Sequence, residues 1–228
     1  MGDWRRHAIY FAPPAASGLA RFGAAWLGWD PAAGAEAPRL RLDGIAPDAM
    51  AAPARYGFHA TLKAPFRLAA GTELAGLDAA AADLARTLAA VELTLRVARL
   101  GSFVALVPVA VPAALVALEA GLVRGLDRFR APLTDAELAR RQPQGLSAAE
   151  RAHLAAWGYP YVLDRYRFHM TLTGALSGAA AETARGALAE AMAPLLAVPL
   201  PVREVCRFSE AADGRFHLLR RFPLGETA

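Results

Sequence analysis

Two short segments of this chain share a pattern of histidine and threonine that suits acid–base chemistry at phosphorus. Residues 55–62, RYGFHATL, return as residues 165–172, RYRFHMTL, with six of eight positions identical. Each copy carries one His-x-Thr: His59 with Thr61, and His169 with Thr171. In-line displacement needs a base for the incoming oxygen and an acid for the leaving oxygen, and imidazole can serve as either near neutral pH. We therefore predict that the histidines form a catalytic pair and that the threonine hydroxyls bind phosphate oxygens.

The distance between the two copies indicates an internal duplication. His59 and His169 lie about half of the 228-residue chain apart, and polar positions are repeated together with apolar ones. Two related lobes, each with one His-x-Thr, would meet at a shared cleft. Each lobe would then present its histidine to one side of the same phosphorus atom.

Strand geometry separates the polar from the apolar residues of each copy. We predict strands over residues 56–62 and 166–173, in which alternate side chains point to opposite faces. The imidazole and the hydroxyl then share one face, about 6.6 Å apart along the strand. The other face holds the apolar residues Phe58, Ala60, Leu62, Phe168, Met170 and Leu172. The same parity brings four cationic candidates for substrate binding beside the histidines: Arg55, Lys63, Arg165 and Arg167.

Three tyrosines are further candidates for substrate contact. Tyr159 and Tyr161 flank a proline in a predicted loop just before the second motif, and Tyr10 lies on the predicted first strand. Tyr56 and Tyr166 fall on the apolar parity, so we expect them in the core. The remaining histidines lack a repeated context and are assigned to packing or surface roles: His7, His153 and His217.

The elements that must position these residues alternate between strands and helices without a parallel βαβ pattern. Helical periodicity predicts helices over residues 72–89, 112–128 and 178–196. Two capping boxes, at residues 134–137 and 147–150, predict the starts of short helices, and an Asp-Gly pair at 213–214 predicts a hairpin turn. We predict one domain over residues 1–228 of the α+β class. It is a bilobal duplicated fold in which two mainly antiparallel sheets face a central cleft, with helices on the outside.

Composition argues against several classes of protein. The apolar fraction is 55%, but the long uncharged stretch at residues 100–118 contains Pro108 and Pro112, so a strand followed by a helix explains it better than a membrane span. Cys206 is the sole cysteine, which excludes an internal disulfide and a multi-cysteine metal site. We expect no secretory signal, and together with the single cysteine this expectation favours the cytoplasm. A net charge of +4 favours anionic ligands, but no run of Lys and Arg predicts RNA binding.

Beyond the repeated octapeptide, several segments resemble the 2H phosphoesterase superfamily, which is named for its two His-x-Thr/Ser motifs. The resemblance runs over most of the chain and is closest to the branch associated with phosphonate-metabolism operons. It rests on FVALVP at 103–108, FRAP at 129–132, WGYPYV at 157–162 and FHMTLTG at 168–174. Members of the superfamily are bilobal, need no metal, and mostly hydrolyse cyclic phosphodiesters or related RNA ends. The resemblance therefore implies that His59 and His169 are the acid–base pair, and that no cofactor is required.

The leading hypothesis is a metal-independent cyclic phosphodiesterase with a small phosphorylated substrate. A cyclic ribose phosphate from carbon–phosphorus bond cleavage is an attractive candidate. A metallo-phosphoesterase would need clustered His and Asp ligands, and no aspartate flanks either motif histidine at a ligand spacing. RNA-end processing, by 2′–5′ ligation or cyclic-phosphate opening, would need a long basic groove. A nucleotide- or RNA-binding module without chemistry would not need both histidines.

Overall fold

The framework is an antiparallel sheet of seven strands, seen in a computed structural model that describes residues 4–141 and 145–225. The strands are β1 (His7–Phe11), β2 (Trp29–Asp30), β3 (Ala35–Glu36), β4 (Ala60–Phe66), β5 (Val91–Leu93), β6 (Leu95–Leu100), β7 (Phe103–Pro108), β8 (Met170–Thr171), β9 (Leu200–Val202), β10 (Glu204–Glu210) and β11 (Phe216–Pro223). The sheet has the order β11-β10-β1-β4-β8-β7-β6, and the pairs β2–β3 and β5–β9 lie outside it. The helices are α1 (Gly18–Leu27), α2 (Ala51–Ala54), α3 (Leu74–Thr87), α4 (Ala113–Gly125), α5 (Asp135–Arg141), α6 (Ala148–Trp157) and α7 (Gly178–Leu196).

The predicted α+β class and the antiparallel pairing are confirmed. The two sheets that the sequence predicted are joined into one sheet of seven strands and form its two halves. One half contains β11, β10, β1 and β4, and the other contains β8, β7 and β6. The halves are joined where Ala60 of β4 pairs with Met170 of β8. These two residues are the middle positions of the two His-x-Thr motifs. The duplicated segments therefore meet each other along the seam of the sheet.

The strands of the two motifs begin later than predicted. β4 begins at Ala60 and β8 at Met170, so each histidine directly precedes its strand. Gly57 turns the chain ahead of His59 with a φ of 72°, and a Cβ there would come within 2.6 Å of Pro31. The predicted parity is nevertheless seen in the burial, because the apolar residues of both copies are buried whereas the histidines and threonines are partly exposed.

The three long predicted helices are confirmed as α3, α4 and α7, and they pack with the apolar face of the sheet into the main core. The first strand, HAIYF, shows how alternation divides the two faces. Ile9 and Phe11 enter the main core with the helices, whereas Ala8 and Tyr10 belong to a smaller cluster with Phe208 on the opposite face. Each large apolar side chain buried in this way contributes about 2 kcal/mol to folding. The opposite face remains available for the site.

Local signals for helix and turn boundaries are also confirmed. Ser147 and Glu150 form the predicted capping box of α6, and Thr134 and Glu137 exchange the same pair of hydrogen bonds at the start of α5. Gly214, with a φ of 85°, lies in the predicted turn between β10 and β11. Residues 100–118 run from the end of β6 through β7 into the first part of α4, and no helix in the described part of the chain is long and apolar enough to cross a membrane.

Candidate active site

The antiparallel register at the seam between β4 and β8 brings the four motif residues together on one face. Because Ala60 pairs with Met170, the flanking residues lie opposite each other: His59 opposite Thr171, and Thr61 opposite His169. Opposite residues of this kind have Cβ atoms about 4.5–5.5 Å apart, and diagonal residues such as the two histidines about 7–8 Å. The two motifs are thus related by an approximate twofold axis through the seam.

The two imidazoles are held in the same way. His59 Nδ1 lies 2.9 Å from the carbonyl oxygen of Gly57, and His169 Nδ1 lies 2.8 Å from that of Arg167. A carbonyl oxygen can only accept, so each Nδ1 carries a proton, and in the neutral ring each Nε2 is an acceptor. The Thr61 hydroxyl lies 3.4 Å from His59 Nε2 and is therefore the donor in that contact. On both rings Nε2 is therefore the nitrogen that can accept a proton.

Aromatic rings and burial keep both histidines neutral. The Tyr10 ring stacks on His59 with centroids 3.9 Å apart, and the Phe103 ring lies 5.8 Å from His169. Burial lowers the pKa of His59 to about 4, with the Gly57 carbonyl opposing this change and nearby His169 adding to it. Burial also lowers the pKa of His169, against the effect of its own backbone acceptor. At neutral pH the site therefore presents two unprotonated Nε2 atoms.

The His59 side of the site opens into a cavity of about 390 Å³ that is rich in arginine. The arginines in its lining are Arg6, Arg55, Arg140 and Arg141. Glu210 accepts hydrogen bonds from both Arg6 and Arg55 and neutralises part of this charge. Arg141 instead donates to two backbone carbonyls, and no carboxylate bonds it within residues 4–141 and 145–225. This side therefore favours an anionic ligand.

The His169 side opens into a larger cavity of about 720 Å³ with aromatic walls. Its aromatic lining residues are Phe103, Tyr159, Tyr161 and Tyr166, and its arginines are Arg99, Arg165 and Arg167. The rings of Tyr159 and Tyr161 are nearly perpendicular with centroids 5.7 Å apart. The Tyr166 hydroxyl donates to the backbone carbonyl of Thr61 at 3.1 Å, which ties the second motif to the first. Thr61 and Tyr159 line both cavities, so the cavities form one cleft across the histidine pair.

The structure places six of the predicted substrate ligands around this cleft. Tyr10 and Arg55 line the His59 cavity, Arg165, Arg167 and Tyr161 line the His169 cavity, and Tyr159 lines both. Two of the arginines also form ion pairs, Arg55 with Glu210 at 3.0 Å and Arg165 with Asp164 at 3.4 Å. Tyr10 is only 1% exposed, so its main contact is the His59 imidazole itself.

The expectation that Lys63 lies beside the histidines is wrong. The β1–β4 pairing shifts register between Ile9 and Tyr10, where one step along β1 corresponds to two along β4. Such a bulge changes which face the following side chains occupy. The Lys63 side chain consequently enters the interior, where its ammonium donates to the Val123 carbonyl at 2.9 Å and to Asp127 at 3.1 Å. At 3% exposure it supports the fold and does not reach the cleft.

Several cleft residues were missed because they come from elements remote in sequence. Arg6, Arg141 and Glu119 have no counterpart in the repeat. Arg6 shares the strand parity of Tyr10, which is the one signal that could have revealed it. Tyr56, expected in the core, packs on hydrophobic residues and also lines the cavity beside His59. Tyr166 behaves in a similar way on the other side.

The arrangement combines the groups that phosphoryl chemistry needs at one point. Two imidazoles can exchange protons on opposite sides of a phosphorus atom, and two hydroxyls and several arginines can bind its non-bridging oxygens. In the described part of the chain, no three His, Cys, Asp or Glu side chains are grouped as they would be in a metal site.

Comparison with known proteins places this sequence in a family. Residues 61–217 match the model of a family described as "Protein of unknown function (DUF1045)". A curated relative from Janthinobacterium sp. (strain Marseille), named Ribose 1,5-bisphosphate phosphokinase PhnN, is 42% identical over 210 residues, which cover 86% of this chain and 46% of that protein. A protein of the same name from Laribacter hongkongensis (strain HLHK9) is 43% identical over 174 residues, covering 75% and 40%. The chain thus spans less than half the length of these relatives.

Two solved structures align with this chain over nearly its whole length. E. coli LigT complexed with 3′-AMP has 17% sequence identity and a TM-score of 0.45, and the alignment covers 97% of this chain and 99% of LigT. A structure described as a phosphoesterase has 15% identity and a TM-score of 0.44, with the same coverage of both chains.

Proposed function

The chain belongs to the DUF1045 family, and we propose that it is a metal-independent phosphodiesterase that hydrolyses a cyclic phosphodiester of a ribose or nucleotide in phosphonate metabolism. One observation carries the proposal. The seam between β4 and β8 sets two His-x-Thr motifs side by side, with both Nδ1 atoms bound to backbone carbonyls, so that the two Nε2 atoms are the positions at which the imidazoles accept a proton. This is the arrangement that two-histidine acid–base catalysis requires.

In the proposed reaction a water molecule attacks phosphorus and one ester oxygen leaves. His59 Nε2 takes a proton from the water as the new P–O bond forms, and burial, which lowers the pKa of His59, keeps this nitrogen unprotonated in the free protein. His169 gives a proton to the leaving oxygen as the ester bond breaks. It gains this proton when the phosphodiester anion binds, because the negative charge favours imidazolium. Thr61, Thr171 and the arginines hold the non-bridging oxygens as charge develops.

The names of the curated relatives support a ribose phosphate as the substrate class. They are named as phosphokinases that act on ribose 1,5-bisphosphate, and this chain matches less than half of their length. A phosphate-binding loop of the G-x-x-x-x-G-K-S/T type needs a lysine after glycine, but the sole lysine here, Lys63, follows Leu62. We therefore assign the kinase activity to the part of the relatives outside the match. The matched part would act on a related ribose phosphate.

A screen of cyclic phosphodiesters by ³¹P NMR tests this proposal. Wild type is incubated in EDTA with ribose 1,2-cyclic phosphate and with 2′,3′- and 3′,5′-cyclic nucleotides. We expect one of them to open, with a loss of about 10²–10⁴-fold in rate in His59→Ala and in His169→Ala. His217→Ala is the matched control, because His217 packs between Trp4 and Trp29 and lines neither cavity of the cleft. Wild-type rates in both motif variants, or activity that needs an added divalent metal, would contradict the proposal.

RNA-end processing is the second candidate, because of a basic groove that the sequence did not reveal. A groove of about 500 Å³ continues from the His169 cavity and shares Arg99 and Arg167 with it. Two more arginines, Arg96 and Arg185, line this extension. The phosphates of a polyanion could bind to the arginines along this groove, away from the histidines. Competition between oligonucleotides with cyclic-phosphate ends and ribose 1,2-cyclic phosphate separates the two candidates. Stronger inhibition by oligonucleotides as they lengthen would favour RNA.

A further inference from the structure

The His169 cavity contains one buried carboxyl group that the proposed mechanism does not use. Glu119 lies on α4, is 1% exposed, and lines the cavity that opens from His169. A buried carboxylate is usually paired or fully hydrogen-bonded, because removing it from water is costly. Burial raises the pKa of Glu119 to about 7, while the Leu163 N–H, Lys63 and Arg124 act in the opposite direction.

The hydrogen bonds of this carboxyl group are incomplete. A carboxylate offers about four acceptor sites on its two oxygens. Within residues 4–141 and 145–225 a single donor reaches Glu119, the backbone N–H of Leu163, at 3.1 Å from one oxygen and 3.4 Å from the other. Lys63 is near enough to affect its pKa, but the ammonium bonds to Val123 and Asp127 instead. Acceptor capacity is therefore left over beside the cavity.

The donor residue itself has an unusual conformation. Leu163 has a φ of 56°, and no other non-glycine residue in the described part of the chain has a positive φ. This left-handed conformation is unfavourable for a side chain with a Cβ. Strain of this kind is found mainly at functional sites, where the surrounding structure maintains it. Here the strained backbone aims its N–H at the Glu119 carboxyl and holds that group at the cavity wall.

We propose that Glu119 forms a subsite that accepts a hydrogen bond from a hydroxyl group on the sugar of the substrate. The proposal rests on the proposed function, since it places the phosphate at the histidine pair and the sugar in the adjoining cavity. A buried acceptor next to aromatic walls suits a body that is partly apolar and carries hydroxyl groups. A phosphate group would not suit it, because a carboxylate repels an anion. Glu119 would thus select sugar phosphodiesters over simple ones.

Calorimetric binding with two cyclic diesters tests this subsite. Ribose 1,2-cyclic phosphate carries free hydroxyl groups, whereas ethylene phosphate is a five-membered cyclic diester without any. Dissociation constants are measured in a His59→Ala background, which slows turnover, with and without Glu119→Gln. Glu150→Gln is the matched control, because Glu150 lines the same cavity from α6 and glutamine preserves its capping role. Binding does not depend on catalysis, so failure of this subsite and failure of the proposed reaction are distinguishable.

The expected result is a change for one ligand only. Above pH 7, where the Glu119 carboxyl is ionised, Glu119→Gln should weaken binding of ribose 1,2-cyclic phosphate by about 10- to 100-fold, the scale of a hydrogen bond to a charged group. Binding of ethylene phosphate should stay unchanged, and Glu150→Gln should affect neither ligand. Equal weakening of both ligands, or no change in either, would overturn the proposal. If Glu119→Gln does not fold, Glu119→Asp is used, and a retained preference for the ribose compound then overturns it.

Discussion

The imidazole of His59 is the most informative group to perturb, because its pKa reports on the packing of the site. Burial lowers this pKa from 6.5 to about 4, and the Tyr10 ring covers one face of the imidazole at 3.9 Å. A lowering of this size corresponds to about 3 kcal/mol in favour of the neutral ring. We predict that Tyr10→Leu, which removes the ring and admits water, raises the pKa of His59 by about one pH unit, or about 1.4 kcal/mol.

The same difference makes the stability of the protein depend on pH. In the unfolded chain His59 takes up a proton near pH 6.5, and in the folded chain only near pH 4. The unfolded state therefore binds more protons between these values, and the free energy of unfolding decreases as the pH falls through this window. The contribution is fully present above pH 6.5. His59→Gln removes this contribution. Between about pH 7 and pH 4.5 the free energy of unfolding of the variant should therefore decrease by about 2 kcal/mol less than that of wild type.

Two measurements check this reasoning. NMR titration of the histidine Cε1–H resonances gives the pKa of His59 in wild type and in Tyr10→Leu. Urea unfolding at the two pH values compares wild type with His59→Gln. His7, whose pKa burial also lowers to about 4, is present in both proteins and cancels from the comparison. A His59 resonance that titrates near pH 6.5 in wild type, or identical pH dependence in the two unfolding series, would refute the argument that burial keeps this imidazole neutral.

Three further variants test other parts of the structure. Lys63→Met should reduce the free energy of unfolding by about 3 kcal/mol, because it removes one partner of a buried ion pair, and should leave kcat/KM of the folded protein unchanged. A reduced kcat/KM would indicate that this lysine does contribute to the site. Thr61→Val and Thr171→Val should each lower kcat by about 100-fold in the ³¹P NMR assay without changing thermal unfolding, and wild-type rates would exclude them as phosphate ligands. Glu210→Gln should release two arginines and tighten binding of inorganic phosphate about fivefold by calorimetry, whereas unchanged affinity would show that these arginines do not face the ligand.

The features that were predictable from sequence are those that depend on residues close together in the chain. Alternation along a strand is enough to assign Phe58 and Phe168 to the core and the histidines to the other face. Helix periodicity, the capping box at Ser147 and the turn at Gly214 likewise depend on neighbours within a few residues. The duplication was visible because both copies kept their polar residues. Each of these signals is local or is a direct repetition.

The tertiary structure decided everything that depends on how distant segments pair. The register of Ala60 with Met170 makes the two motifs neighbours in one sheet, and no pattern within either motif specifies that pairing. A bulge opposite β1 sends Lys63 into the core, although simple alternation had placed it in the cleft. Arg6 and Glu119 reach the site only because strands and helices from elsewhere pack around the seam. Side-chain chemistry and local periodicity are written in the sequence, whereas register and packing arise from long-range contacts that only the folded chain makes.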